Sequence, residues 1–206
     1  MIPWPLGGPT KQLDRNMKPP EYTVTVRDED YDLDWDFRAL LAKFVDDQDI
    51  SVRKRVRSAL QLAAEHGRYL ALKEKNIISK YVRCFTFCFS LQGHVPEMRR
   101  AQACPNDRYV HCLVKRGVLV MRKSLDLARH GDHVIYFTSN LGYQHGGIWE
   151  DGRVRSKWGR LPVFSHGIWD VPIGYGNNVR IYPALDPELA WQSCREWIRE
   201  EQERGE

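Results

Sequence analysis

Long apolar runs are absent from this sequence. The longest apolar stretches span only a few residues, whereas a membrane-spanning helix needs roughly 18 to 20, so no membrane partner is expected. The first residues do not combine a basic stretch with an apolar one, as a secretion signal does. The compartment expected from these features is the cytoplasm.

Cysteines are few and irregularly spaced. The chain has five of them, an odd number. This distribution argues against a disulfide framework and favours thiols that are buried, reactive or metal-bound. A reducing environment fits this expectation.

The composition allows one core with a small elaboration. The chain has 206 residues, of which 42% are apolar, enough for one well-buried core. Prolines and glycines crowd residues 1–20, which we interpret as an arm without helix or strand. Residues 21–75 are predicted to form a mainly helical extension, and residues 76–206 the main domain.

Two helices are predicted in the extension, after a short strand at residues 21–27. The first begins near Trp35, has apolar residues at helical spacing and ends at the turn-like residues 46–49. The second is predicted from Ser51 to Lys75, with a bend or end at Gly67. Its residues 53–57 carry four cations.

In the main domain, short apolar segments are separated by glycines. This pattern predicts the α+β class, with one helix that leads into a strand-rich half. Strands are predicted at residues 134–137, 146–149, 153–158 and 179–182, with a hairpin turn at Asp151 and Gly152. Asp186 and Pro187 are predicted to begin a C-terminal helix with a core-facing stripe.

Two separate segments have the residues that a thiol hydrolase needs. Cys84 lies near the beginning of an aromatic, helix-length run, where a helix N-terminus would stabilise a thiolate. Downstream, Gly131 and Asp132 precede a strand, and His145 begins the next one, in the pattern His-Gly-Gly-Ile-Trp. Ser156, on the strand after the hairpin turn, is expected roughly opposite His145.

This Gly-Asp-strand, His-x-Gly-Ile-aromatic and Gly-Arg-strand series resembles the NlpC-type papain-like peptidases and amidases, over about residues 80–182. The resemblance implies a papain-like fold, in which a helix packs on a small antiparallel sheet. It also implies that Cys84 is the nucleophile, His145 the general base and Ser156 the third group, for which His166 is the alternative. A peptide or amide substrate is implied, and no metal or cofactor. The predicted substrate-contacting residues are Arg83, Trp149, Lys157, Trp158 and Tyr175.

Other interpretations remain open at this stage. Cys112 is a competing nucleophile, while Cys88 is expected in the core and His130 and His133 in loops or on strand surfaces. A zinc cluster would draw on Cys84, Cys88, His94, Cys104, His111 and Cys112. A papain-like binding module without turnover is a second functional class. Nucleic-acid binding through the basic helix at 53–57 is a third, which we regard as unlikely because no aromatic platform accompanies it. The sequence does not indicate an oligomeric state.

Overall fold

A computed structural model of the protein describes residues 26–27, 34–46, 49–74, 82–121, 125–139 and 142–205. Within these ranges the chain forms six α-helices and seven strands, so the α+β class is confirmed. The arm predicted at residues 1–20 lies outside the described residues. No helix among those described is long and apolar enough to cross a bilayer. The helices are α1 (Trp35–Asp46), α2 (Val52–Glu65), α3 (Cys84–Cys88), α4 (Val95–Arg100), α5 (Asp107–Lys115) and α6 (Pro187–Gly205).

Side-chain caps fix where several of these helices begin. The Asp34 carboxylate accepts the Phe37 N–H at 2.8 Å ahead of α1, and the Asn106 side chain accepts two N–H groups ahead of α5. Asp186 accepts the N–H groups of Glu188 and Leu189. Each cap satisfies N–H groups that have no partner inside the helix. The predicted helix starts near Trp35 and at Pro187 are therefore confirmed.

The second predicted helix ends at the break predicted at Gly67 and does not continue to Lys75. α2 ends at Glu65, and Gly67 takes a φ of 63°, a left-handed conformation that favours glycine and terminates the helix. Residues 70–74 then form a strand instead of the last helical turns. The helix predicted around Cys84 is also shorter than expected, because α3 spans five residues.

The strands form one antiparallel sheet in the order β1-β7-β3-β4-β5-β6-β2. The four predicted strands of the main domain correspond to β3, β4, β5 and β7, whereas β2 and β6 were not predicted. At the β4–β5 hairpin both Asp151 and Gly152 have positive φ, as a two-residue turn of type I′ requires. The strands are β1 (Val26–Arg27), β2 (Leu70–Glu74), β3 (His133–Thr138), β4 (Gly142–Glu150), β5 (Arg153–Lys157), β6 (Val163–His166) and β7 (Asn178–Tyr182).

A separate apolar core lies on each face of the sheet. On one face, which we call the α3 face, helices α3, α5 and α6 pack with Ile135 and Tyr182. On the other, which we call the α1 face, α1 and α2 pack with Val134 and Tyr136. The alternation of β3 residues between the two cores follows the two-residue period of a strand. Both strands of the predicted extension, β1 and β2, lie at edges of the same sheet.

Candidate functional site

Cys84 is the first residue of α3, as predicted, and its side chain is half-buried against the core of the α3 face. Arg83 is the exposed residue that precedes the helix. Burial raises the pKa of the Cys84 thiol to about 11, although the backbone N–H groups of Gly146, Phe85 and Cys84 itself act in the opposite direction. A thiol in this environment is protonated at neutral pH.

His145 lies on β4 and is fully buried. Its ring stacks on Tyr175, with 3.9 Å between the ring centroids and 10° between the planes, and lies 5.6 Å from the Tyr136 ring. Neither ring nitrogen has a hydrogen-bond partner among the described residues. Burial is the main cause that holds the pKa of His145 well below its usual value, and repulsion from His166 is a smaller one.

Gly146 shows that these two residues point to opposite faces of the sheet. A Cβ built at Gly146 would lie 2.9 Å from Phe85 Cδ1 and 3.2 Å from Cys88 Cβ, so this position faces α3. Because side chains alternate along a strand, the preceding residue, His145, faces the α1 side, where its ring contacts Tyr136 and Tyr175. The prediction that Cys84 and His145 lie side by side at a common opening is therefore wrong.

Ser156 and His166 lie on the same face as His145. Ser156 is paired with Gly147 rather than directly with His145. The His166 Nδ1–H donates to the Gly167 carbonyl at 2.7 Å, which leaves Nε2 to accept the Ser156 hydroxyl at 2.8 Å. Both residues are fully buried, and burial is the main reason that the pKa of His166 falls to about 4. The structure thus brings together three of the four predicted catalytic residues and leaves Cys84 on the other face.

The residues predicted to line a substrate pocket are mostly packing groups. Lys157 is buried, and its Nζ donates to the carbonyls of Gly159 and Leu161, while burial lowers its pKa to about 8. Trp158 is also buried and donates its Nε1–H to Ser156 Oγ at 3.0 Å. Trp149 packs half-buried at the margin of the α1-face core, and Tyr175 covers the His145 ring. Lys157 and Trp158 therefore do not reach a substrate in this arrangement, whereas substrate contact by the half-buried Trp149 and Tyr175 and the exposed Arg83 stays a prediction.

No family model, curated protein or solved structure matches the chain. The resemblance to NlpC-type enzymes therefore stays a prediction from motifs. Part of the motif series has a structural role here, because the Asp132 carboxylate accepts the backbone N–H groups of Arg129 at 2.8 Å and Ala184 at 3.2 Å. These bonds join the turn before β3 to the segment after β7.

A buried Cys–His pair that the sequence did not predict lies on the α3 face. The Leu185 N–H donates to His133 Nε2 at 2.9 Å, so the Nδ1–H points to Cys88 Sγ, 3.6 Å away. The Cys88 thiol donates to the Gly147 carbonyl at 3.2 Å. Burial raises the pKa of Cys88 and lowers that of His133 to about 4, so both groups are neutral at pH 7. The expectation that His133 is a loop or surface residue is wrong, because its side chain is buried. The sequence indicated that His133 lies near the start of a strand, but not which way its side chain points.

Cys112, the competing nucleophile, borders a groove of about 630 Å³ between α5 and α6. Tyr143 and Trp197 form apolar parts of its lining, and charges of both signs surround them. Ion pairs bridge the two helices, among them Arg108 with Glu201 and Arg116 with Glu196. Burial raises the pKa of Cys112, so this thiol is not activated either.

Two alternatives from the sequence lose support. No group of three potential metal ligands lies together in the described part of the chain, which includes all six residues of the suggested zinc cluster. In the basic run, Arg55 is buried and its Nη1 donates to the Val45 carbonyl at 3.0 Å. Only Arg53, Lys54 and Arg57 of this run are exposed, which leaves a small cationic surface for phosphates.

Proposed function

We propose that this chain is a binding domain built on a papain-like scaffold, in which Cys84 does not act as a nucleophile. A helix that begins with a cysteine and packs on an antiparallel sheet supports the papain-like part of the proposal. Peptides are the ligand class that such a scaffold is shaped to hold, which agrees with the resemblance found in the sequence.

The orientation of His145 carries the proposal. A cysteine hydrolase needs a histidine within hydrogen-bond reach of its thiol, so that the proton can move between them. Here the imidazole stacks on Tyr175 on the far face of the sheet. With a pKa of about 11 for Cys84, about one thiol in ten thousand is ionised at pH 7, too few for efficient attack on an amide.

The remaining polar pairs do not replace this histidine. Cys88 and His133 contact each other, but both are buried and their donors and acceptors are already used. Ser156 and His166 are likewise fully buried. A substrate carbonyl therefore has no access to either pair in the described arrangement.

Among the described residues, we assign ligand binding to the groove between α5 and α6. Its volume of about 630 Å³ falls within the range of roughly 300 to 1,000 Å³ that is common for ligand sites. Aromatic side chains and charges of both signs suit a peptide that has apolar and charged residues. A peptide library screened by fluorescence anisotropy should yield binders that Cys112→Trp, which fills the groove, weakens at least tenfold. Arg57→Trp, at an exposed position on α2, should leave the affinity of these peptides unchanged. Peptides that bind Cys112→Trp as tightly as the wild type would contradict this assignment.

One observation favours a second candidate, the cysteine hydrolase. Cys84 is half-buried at a helix N-terminus, and three backbone N–H groups act on its sulfur, which is the setting of an oxyanion-binding nucleophile. This candidate requires a rearrangement that brings a histidine to the thiol. It remains the alternative outcome of the following experiment.

Thiol alkylation as a function of pH distinguishes the two candidates. In a background of Cys104→Ser and Cys112→Ser, the alkylation rate of Cys84 should rise steadily toward pH 10 or above, without a plateau between pH 5 and 8, and His145→Gln should not change this profile. A Cys84→Ala variant in the same background gives the alkylation rate that does not come from Cys84. A rate plateau near neutral pH that disappears in His145→Gln would establish a thiolate–imidazolium pair and refute the non-catalytic proposal.

A further inference from the structure

Two buried imidazoles lie beneath the cover formed by α1 and α2. His145 and His166 are both fully buried on the α1 face, and they are close enough for His166 to lower the pKa of His145. His166 already uses both ring nitrogens, and His145 has no partner for either among the described residues. A proton added to His145 would therefore have no acceptor among the described residues, and a proton added to His166 Nε2 would displace the hydroxyl hydrogen that Ser156 now donates to it.

The groups around this pair do not compensate a positive charge. From β3 the Tyr136 hydroxyl donates to the Ile168 carbonyl, and from β5 the Ser156 hydroxyl donates to His166. The nearby carboxylate, Asp170, accepts the Gly167 N–H and lies 3.9 Å from Arg68. The Arg153 cation further lowers the pKa of His166.

The cover itself adds another cation. From α1, the buried Arg38 donates its Nε–H to the Val171 carbonyl at 3.1 Å and an Nη2–H to the Gly176 carbonyl at 2.6 Å. These hydrogen bonds connect α1 to residues 171–176, the segment that contains Tyr175 and places its ring on His145. From α2, the buried residues are Arg55, Ala59, Leu62 and Ala63, none of which can accept a proton.

We propose that His145 and His166 form an acid-sensitive lock, and that their protonation lifts the α1–α2 cover from the sheet while the α3 face stays packed. The two helices of the cover are joined to each other, because the Asp34 carboxylate, which caps α1, pairs with His66 after α2 at 2.9 Å. The hydrogen bond from Phe37 N–H is the largest cause that keeps the pKa of Asp34 below 3.8, so this pair persists at pH 5. Edge strands β1 and β2 tether the two ends of the cover.

The sign of the pH effect follows from the closed state. In the closed state the pKa of His166 is about 4 and that of His145 lies well below 6.5, whereas both approach about 6.5 once exposed. The open state therefore binds more protons below pH 6.5, and closure is fully favoured only above that value. Protonation of His166 then increases the open population about thirtyfold at pH 5, and protonation of His145 increases it further in the same direction.

Hydrogen exchange measured by mass spectrometry at pH 7.5 and pH 5, corrected for intrinsic exchange rates, tests the lock on the whole chain. Amides of α1 and α2 should lose more than about thirtyfold of their protection at pH 5, because His166 alone accounts for about thirtyfold. Amides of α5 and α6 should lose less protection, about thirtyfold at most, because His133, with a folded pKa of about 4, is the one buried imidazole on that face among the described residues. His133 does not contribute to this opening because its ring faces Cys88 on the other side of the sheet.

His145→Phe retains a stacking ring that cannot be protonated, and it should reduce the loss of protection in α1 and α2 to about thirtyfold, the share of His166. His130→Gln, which alters an exposed imidazole, should leave the effect intact. Equal loss of protection in α1–α2 and α5–α6 of the wild-type protein would overturn the proposal, even if His145→Phe fails to fold. An unchanged pH effect in folded His145→Phe would overturn it as well.

Discussion

Alanine substitutions at the adjacent glycines Gly146 and Gly147 on β4 test whether Cys84 and His145 lie on opposite faces of the sheet. A methyl group at Gly146 would lie 2.9 Å from Phe85 Cδ1 and 3.1 Å from Phe85 Cε1, on the α3 face. A methyl group at Gly147 would lie 2.5 Å from Val154 Cγ1 and 2.9 Å from Ser156 Cβ, on the α1 face. Alanine at either position therefore overpacks a different core.

The expected cost follows from this overpacking. An extra methyl group in a well-packed core destabilises a protein by about 1 to 3 kcal/mol. In a chain of 206 residues, each kcal/mol lowers the melting temperature by roughly 2 to 4 °C, so each variant should melt about 2 to 12 °C below the wild type. Gly93→Ala is the matched control, because a Cβ there meets no atom within 4 Å and the backbone is not left-handed. Its melting temperature should stay within about 2 °C of the wild type.

Local probes distinguish the two faces after circular dichroism has measured the melting temperatures. Gly146→Ala should displace α3 and speed native-state alkylation of Cys88, while the indole N–H resonance of Trp158 keeps its position. Gly147→Ala should shift that resonance, because Trp158 donates to Ser156 Oγ. If Gly146→Ala moved the Trp158 resonance and left Cys88 protected, β4 would be turned over, and His145 would share a face with Cys84.

Two further changes test buried polar groups on the α3 side and at the end of β5. Cys88→Ala should cost about 1 to 3 kcal/mol in urea unfolding, because it leaves the Gly147 carbonyl and His133 Nδ1 without their partner. Cys112→Ala, at a half-buried position, should cost clearly less, and equal costs would contradict the Cys88 network. For Lys157, the folded-state pKa of about 8 lies below the usual lysine value of 10.5, so the folded state binds fewer protons between these values. Wild-type stability should therefore rise relative to Lys157→Met between pH 8 and 10.5, and parallel pH profiles in urea unfolding would refute the lowered pKa.

Periodicity and capping residues gave the parts of the fold that local interactions decide. The boundaries of α1 depend on Asp34 and on apolar residues at helical spacing, and the start of α6 depends on Asp186. The Asp151–Gly152 turn was readable because those residue types adopt positive φ. The bend or end predicted at Gly67 is an end of α2, but β2 was not predicted after it, because pairing of β2 with β6 is a long-range effect.

The candidate site depended on the direction of one side chain, and the sequence alone did not determine it. Cys84 lies at a helix start, as its surroundings predicted, and His145 lies on a strand that contacts this helix. A bulge between β3 and β4 changes the register near Gln144, and a shift of one residue turns every following side chain to the other face. Sequence patterns thus located the residues, whereas packing of Gly146 against Phe85 and of His145 against Tyr175 decided which side of the sheet each one faces.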